Sequence, residues 1–153
     1  MKRTTRTGGP IVRLCVLFFF ALVTASCATA GHRAQKIKES LKAPLDAFNS
    51  DIRWQDFEHA EIFVPKTRVE HYWAEMDRLK RNIRLTDYEV RDIEFSENNR
   101  FATVTLHCEY WLLNSPILRN VNVTQTWRFN DLKEMWQVRD TGFKKIIEAS
   151  LGF

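Results

Sequence analysis

The side chains in this 153-residue sequence best suited to covalent or metal chemistry are three cysteines and four histidines. Cys27 follows Thr24, Ala25 and Ser26, which are small enough for a peptidase groove. A thiol is useful there because its thiolate is a strong nucleophile. Cys108 lies inside an alternating apolar run, which fits a packed thiol rather than a reactive one. His32, His59, His71 and His107 stand far apart, with no HxH, HxxxH or HExxH spacing. There is no Gly-rich phosphate loop and no GxSxG, and the chain has only five glycines. No metal or cofactor is expected. Asn122-Val123-Thr124 has the form of a glycosylation sequon but falls within a strand pattern.

The residues before Cys27 explain its position. Lys2, Arg3, Arg6 and Arg13 precede an uncharged stretch from Leu14 to Ala30. A basic start followed by an apolar segment is the layout of a secretory signal. The strongly apolar part, Leu14 to Val23, is ten residues. That is short of the roughly 20 that a spanning helix needs.

The stretch "LVTASC", ending at Cys27, resembles the lipobox of bacterial lipoproteins. In that family the cysteine receives a diacylglycerol and the chain is cut just before it. The family usually has Leu three positions before the cysteine; here Thr24 stands there, beside Val23. The resemblance covers about residues 1–30. It implies a signal peptide at 1–26, a lipidated tether at 27–35 and a single domain at 36–153. It also implies anchoring to the membrane through a lipid on Cys27, with palmitate as one of the acyl chains. Ala28 rather than Asp follows the cysteine, which in the sorting rule of enteric bacteria favours the outer membrane, facing the periplasm. Two alternatives stand beside this reading: ordinary cleavage near Ala28 or Ala30, and an uncleaved signal anchor.

The net charge of +4 would suggest an acidic partner, but four of the 23 basic residues and none of the 19 acidic ones precede Cys27. The remaining chain carries 19 of each and is formally neutral, so a nucleic-acid partner is not expected. Only Cys108 is left unmodified in that mature chain, which excludes an intramolecular disulfide. Its 127 residues suffice for one domain with a real core.

Any site in this domain must be positioned by a few periodic segments. Ile37, Leu41, Leu45 and Phe48 recur at helical spacing, with Pro44 predicting a kink or a new turn. Asp51 is the expected cap of a short helix that buries Trp54 and Phe57, and "IFVP", 62–65, reads as a brief strand. A helix is predicted from Thr67, with Val69, Tyr72, Trp73, Met76 and Leu79 as its buried stripe and Ile83 continuing it. The period then changes to two. Tyr88 and Val90 fall out of phase with Ile93 and Phe95, which predicts a bulge near Arg91 and Asp92. "RFATVTLHCEYWLL" alternates throughout, placing Ala102, Val104, Leu106, Cys108, Tyr110 and Leu112 on one face. A third strand places Val121, Val123, Gln125, Trp127 and Phe129 inward, and a fourth buries Trp136 and Val138. A short C-terminal helix or tail is expected after Gly142.

Helices followed by antiparallel strands predict an α+β fold, with N-terminal helices packed on a curved antiparallel sheet of about four long strands. This element order over 36–141, with phrases such as "FVP" and "WQVRD", resembles the NTF2-like (cone-shaped α+β) superfamily. A cystatin-like fold, with one main helix on a sheet, is the alternative. The NTF2-like resemblance implies a pocket between the concave sheet face and the helices, where some members act as isomerases or dehydratases and many only bind. Gln125 is the one polar side chain on its apolar strand face, and Tyr88, Tyr110 and Asp140 are the residues expected near it. The amide either satisfies a core hydrogen bond, contacts a ligand or takes part in catalysis. On the opposite face, Trp111, His107, Glu109 and Arg128 form the candidate interface for a homodimer or an envelope protein, with Glu109 and Arg128 as a cross-strand pair. The function expected is a non-catalytic binding or assembly module on a lipid anchor. The alternatives are a small pocket enzyme of isomerase or dehydratase type and a structural subunit of an envelope complex.

Overall fold

Pro44 divides the N-terminal stripe. In an unbroken helix its ring would meet the carbonyl of Ser40. In the computed structural model, which describes residues 31–150, the chain instead turns at Ser40 and Leu41. Residues 31–39 (α1) are helical, and α2 then runs from Lys42 to Trp54 with Pro44 in its first turn, where no intrahelical N–H donor is required. The expected signal peptide and Cys27 lie outside the described residues. The described part of the expected tether, residues 31–35, is helical.

Leu45, Phe48 and Ile52 continue the stripe and are buried, so α2 passes through Asp51 rather than restarting there. Trp54 ends the helix at 73% exposure instead of packing beside Phe57. The short helix α3, Phe57–Ala60, is capped by Asp56, whose carboxylate accepts from the His59 backbone N–H at 3.2 Å. "IFVP" forms no strand; Glu61–Phe63 is a 3-10 turn and Val64 leads into Pro65. A second 3-10 turn, Lys66–Arg68, takes the place of a Thr67 cap, and α4 spans Val69–Asn82. Ile83 starts the first strand and does not extend the helix.

Gln55 closes α2 in the left-handed region, with φ of 62°. Its N–H and that of Asp56 reach back to Ile52 and Asp51. A side chain pays for that conformation and glycine does not. Gln55→Gly should therefore raise the urea midpoint, by the equivalent of about 0.5–1 kcal/mol.

Four antiparallel strands follow: β1 Ile83–Phe95, β2 Phe101–Leu112, β3 Leu118–Asn130 and β4 Met135–Asp140. They lie in sequence order in one open sheet. Ala102, Val104, Leu106, Cys108, Tyr110 and Leu112 are all buried, as the alternation requires. The bulge expected at Arg91 is present, and a second sits at Thr86, whose hydroxyl donates to the Glu109 carbonyl at 3.0 Å. A third irregularity, at Arg139, sets Val138 opposite Trp127 and Asp140 opposite Thr126. Gly142 turns the chain into α5, Lys144–Ser150, which buries Ile146 and Ile147.

The fold is α+β, with the N-terminal helices on one face of the sheet. Two long helices, α2 and α4, bury stripes in the core, so the single-helix cystatin-like arrangement is not adopted. From Ile37 onward the described residues form one compact unit. Its aromatic centre joins Phe48 edge-on to Trp127 and Phe63, while Trp136 meets Phe95 and Phe129. Among the described residues no helix is long and apolar enough to cross a membrane.

Candidate functional site

Gln125 points inward from the middle of β3 and is fully buried. Its amide donates to Asn49 Oδ1 at 2.8 Å, and its carbonyl accepts from Trp127 Nε1 at 3.1 Å and from Asn49 Nδ2 at 3.3 Å. Asn49, on α2, also donates to the Leu45 carbonyl at 2.9 Å. The three polar side chains satisfy one another, and among the described residues no buried side-chain nitrogen or oxygen lacks a partner. The first of the three roles open to Gln125, a core hydrogen bond, is the one that its geometry fits.

The other expected pocket residues stand elsewhere. Val104 is opposite Gln125, and Tyr110 lies six residues further along β2, about 20 Å at strand rise. Tyr88 is opposite Cys108, and its hydroxyl reaches out to the Asp46 carbonyl at 3.1 Å. The bulge at Arg139 puts Asp140 in register with Thr126, where it is exposed, lines a cleft beside α4 and accepts from the Gly142 N–H through its carboxylate. The four residues therefore do not form one pocket.

A different carboxylate occupies a cleft. Glu75, on α4, is half-buried between that helix, the end of β4 and α5. The Thr141 hydroxyl donates to its Oε1 at 2.5 Å. Two adjoining clefts of about 60 and 180 Å³ share His71, Glu75 and Lys144 as walls. Burial holds the Glu75 carboxyl above the usual carboxylate range; the Thr141 hydrogen bond opposes this, and the charge of Asp140 adds to it. Beside it the Tyr72 phenol donates to the Phe57 carbonyl, and burial raises its pKa.

A carboxyl with a raised folded pKa stabilises the fold while it is protonated. Its contribution is full below the ordinary carboxylate range and is lost as pH rises through the folded value. Glu75→Gln keeps an oxygen for Thr141 and cannot ionise. Its melting temperature should match the native chain's at low pH and exceed it increasingly as pH climbs through the Glu75 titration. A constant offset across pH would show that Glu75 titrates normally.

Cys108 is fully buried, and burial pushes its thiol up to about 12. With Cys15 and Cys27 replaced by serine, the remaining thiol should react slowly with a disulfide reagent until urea unfolds the chain. Rapid native reaction would mean that the inner face of β2 is open.

The outer sheet face brings His107, Glu109 and Trp111 together at alternate positions of β2, but Arg128 stands at the other end of the ladder. Glu109 is in register with Asn120, and Arg128 with Phe101, so the expected Glu109–Arg128 pair does not form. Arg128 lies over the Phe101 ring instead, with its guanidinium 5.6 Å from the centroid. His107 Nδ1 is 2.9 Å from Asn122 Oδ1 across the β2–β3 ladder. Trp111, at 41% exposure, lies ten residues from Phe101 at the other end of β2. Gln137 shares the outer face but is buried, accepting from Asn130 Nδ2 at 3.1 Å. Asp51, Asp56 and His59 form an acidic cluster accounted for by the α3 cap and a 2.8 Å contact between His59 Nδ1 and Asp51.

Two contributors escaped the sequence reading. Asn49 carried a usable signal, because it lies four residues after Leu45 on the buried face of α2. Glu75 carried little, since a glutamate beside an apolar helical stripe ordinarily faces water.

No protein-family model and no curated protein matches the chain. Among solved structures it is similar to a SEC-C motif containing protein from Rhodopseudomonas palustris, at 10% identity and a TM-score of 0.52. The match covers 66% of this chain and 76% of that one. At that identity the likeness concerns the fold alone.

Proposed function

We propose that this chain is a lipid-anchored protein of the bacterial envelope whose NTF2-like domain binds or assembles through its surface. Cys27 would carry the anchor, in the outer membrane and facing the periplasm. The observation that carries the surface reading is the closed Gln125–Asn49–Trp127 network, which occupies the place where a cone-shaped fold would hold a ligand. Support for the anchor comes from the residues around Cys27. A protein partner in the envelope, or a second copy of the chain, would meet an exposed face.

The anchor is tested by growing cells with labelled palmitate and partitioning their proteins into detergent. The native chain should take up label and enter the detergent phase. Cys27→Ala should lose the label and accumulate as precursor, whereas label that survives the substitution would remove the lipoprotein reading.

One observation favours a second reading, a small enzyme. Glu75 combines a raised pKa with a cleft that also presents His71, Tyr72 and Lys144, the setting that acid–base chemistry uses. In that case Glu75→Gln would abolish turnover of a substrate while leaving the fold intact. If Glu75 only fastens α5 to α4, the same variant changes stability alone.

A further inference from the structure

The β2–β3 connection exposes its oily residues. Leu113 is 53% exposed, Ile117 62% and Leu118 54%, all close in sequence to the exposed Trp111. The hairpin end is held in shape by backbone bonds: Leu113 N–H donates to the Asn82 carbonyl and Ser115 N–H to the Leu112 carbonyl, each at 2.9 Å. Trp111 and Leu118 face each other across the ladder, so the two side chains share the outer face. Four cations flank this tip, with the half-buried Glu109 two residues before Trp111 on the same face. Arg84 is in register with Trp111, Arg119 with Tyr110, and the last turn of α4 places Lys80 and Arg81 just before Asn82. All four are exposed.

We propose that this tip is a second membrane contact, in which Leu113, Ile117, Leu118 and Trp111 enter the acyl boundary of an anionic bilayer while the flanking cations meet its phosphates. Trp and branched aliphatic side chains suit that depth, and basic residues suit the headgroups. Each cation near an anionic surface strengthens binding about fivefold, an effect that salt screens. Charge also weighs against a second copy as the occupant, since two such tips would bring like charges together. The proposal deepens the anchored-protein reading and rests on it for the nearness of a bilayer. Entry to the domain lies at the other end of the sheet, where the Ile37 carbonyl accepts from Trp136 Nε1. Beta2 has twelve residues, about 40 Å at strand rise.

The test reconstitutes the full chain in vesicles containing phosphatidylglycerol and bromine-labelled acyl chains. The Trp111 signal is the difference between the native chain and Trp111→Phe. Quenching of that signal is expected, with at least a severalfold loss in Leu113→Ser/Ile117→Ser and a decline at high salt or in zwitterionic vesicles. Both serines replace exposed residues, and slow reaction of Cys108 checks that the fold is kept. Trp111 emission that bromine leaves unchanged overturns the proposal, as does crosslinking of the tip to a second copy in place of quenching. The two readings fail separately. Palmitate uptake without quenching removes the tip contact and leaves the anchor, and quenching in a chain without palmitate does the reverse.

Discussion

Gln125→Leu should destabilise the domain by about 2–4 kcal/mol, because it leaves two partners buried without theirs. Asn49 Oδ1 would lose its donor and Trp127 Nε1 its acceptor, in an interior that water does not reach. Leucine fills most of the volume, so the loss reflects unsatisfied polar atoms and not a cavity. The double variant Asn49→Leu/Gln125→Leu should recover part of it, since only the Trp127 N–H is then left without its present partner. Urea denaturation of the four chains gives the coupling directly. Additive losses would contradict a shared network. A neutral single variant would mean that water or a ligand reaches Gln125, and the interior would have to be regarded as a binding site.

Gly142→Ala should cost at least as much, about 3 kcal/mol or more. Gly142 has φ of 74°, and a Cβ there would lie 2.6 Å from the Thr124 carbonyl oxygen. That oxygen belongs to the backbone of a central strand and cannot swing aside as a flexible side chain would. The turn also holds Asp140 to the Gly142 N–H and leads directly into Phe143, which is fully buried beneath α5. The substitution is expected to loosen α5 from the sheet and lower the melting temperature by many degrees. Amide exchange should show the damage spreading from α5 into β3 and β4. An unchanged melting temperature would show that the chain takes another path at this turn.

The parts of the fold legible in the sequence were those set by local periodicity. Beta2 announced its inner face through six alternating residues, and β3 did the same with Gln125 in the middle. The bulge at Arg91 was visible as a slip of phase between Val90 and Ile93. What the sequence could not show depended on register and on distant partners. Which residue faces Arg128 depends on the geometry of the chain between Leu112 and Leu118, and that geometry pairs it with Phe101 rather than Glu109. The bulge at Arg139 set Asp140 opposite Thr126 and broke the strict alternation from Trp136 and Val138 that placed it beside Gln125. Trp54 looked like a core residue by type, but its position at the end of α2 leaves it beside Arg53 in solvent. Glu75 became notable only when α5 and the end of β4 closed over it, a contact between segments 66 residues apart.

The fate of Cys27 is read from the intact mass of the protein extracted from the cell envelope. The proposal predicts a chain that begins at Cys27 and carries the added mass of a diacylglyceryl group, with or without a further acyl chain. An unmodified chain beginning at Ala28 or later, or one that retains the apolar segment without lipid, would contradict it.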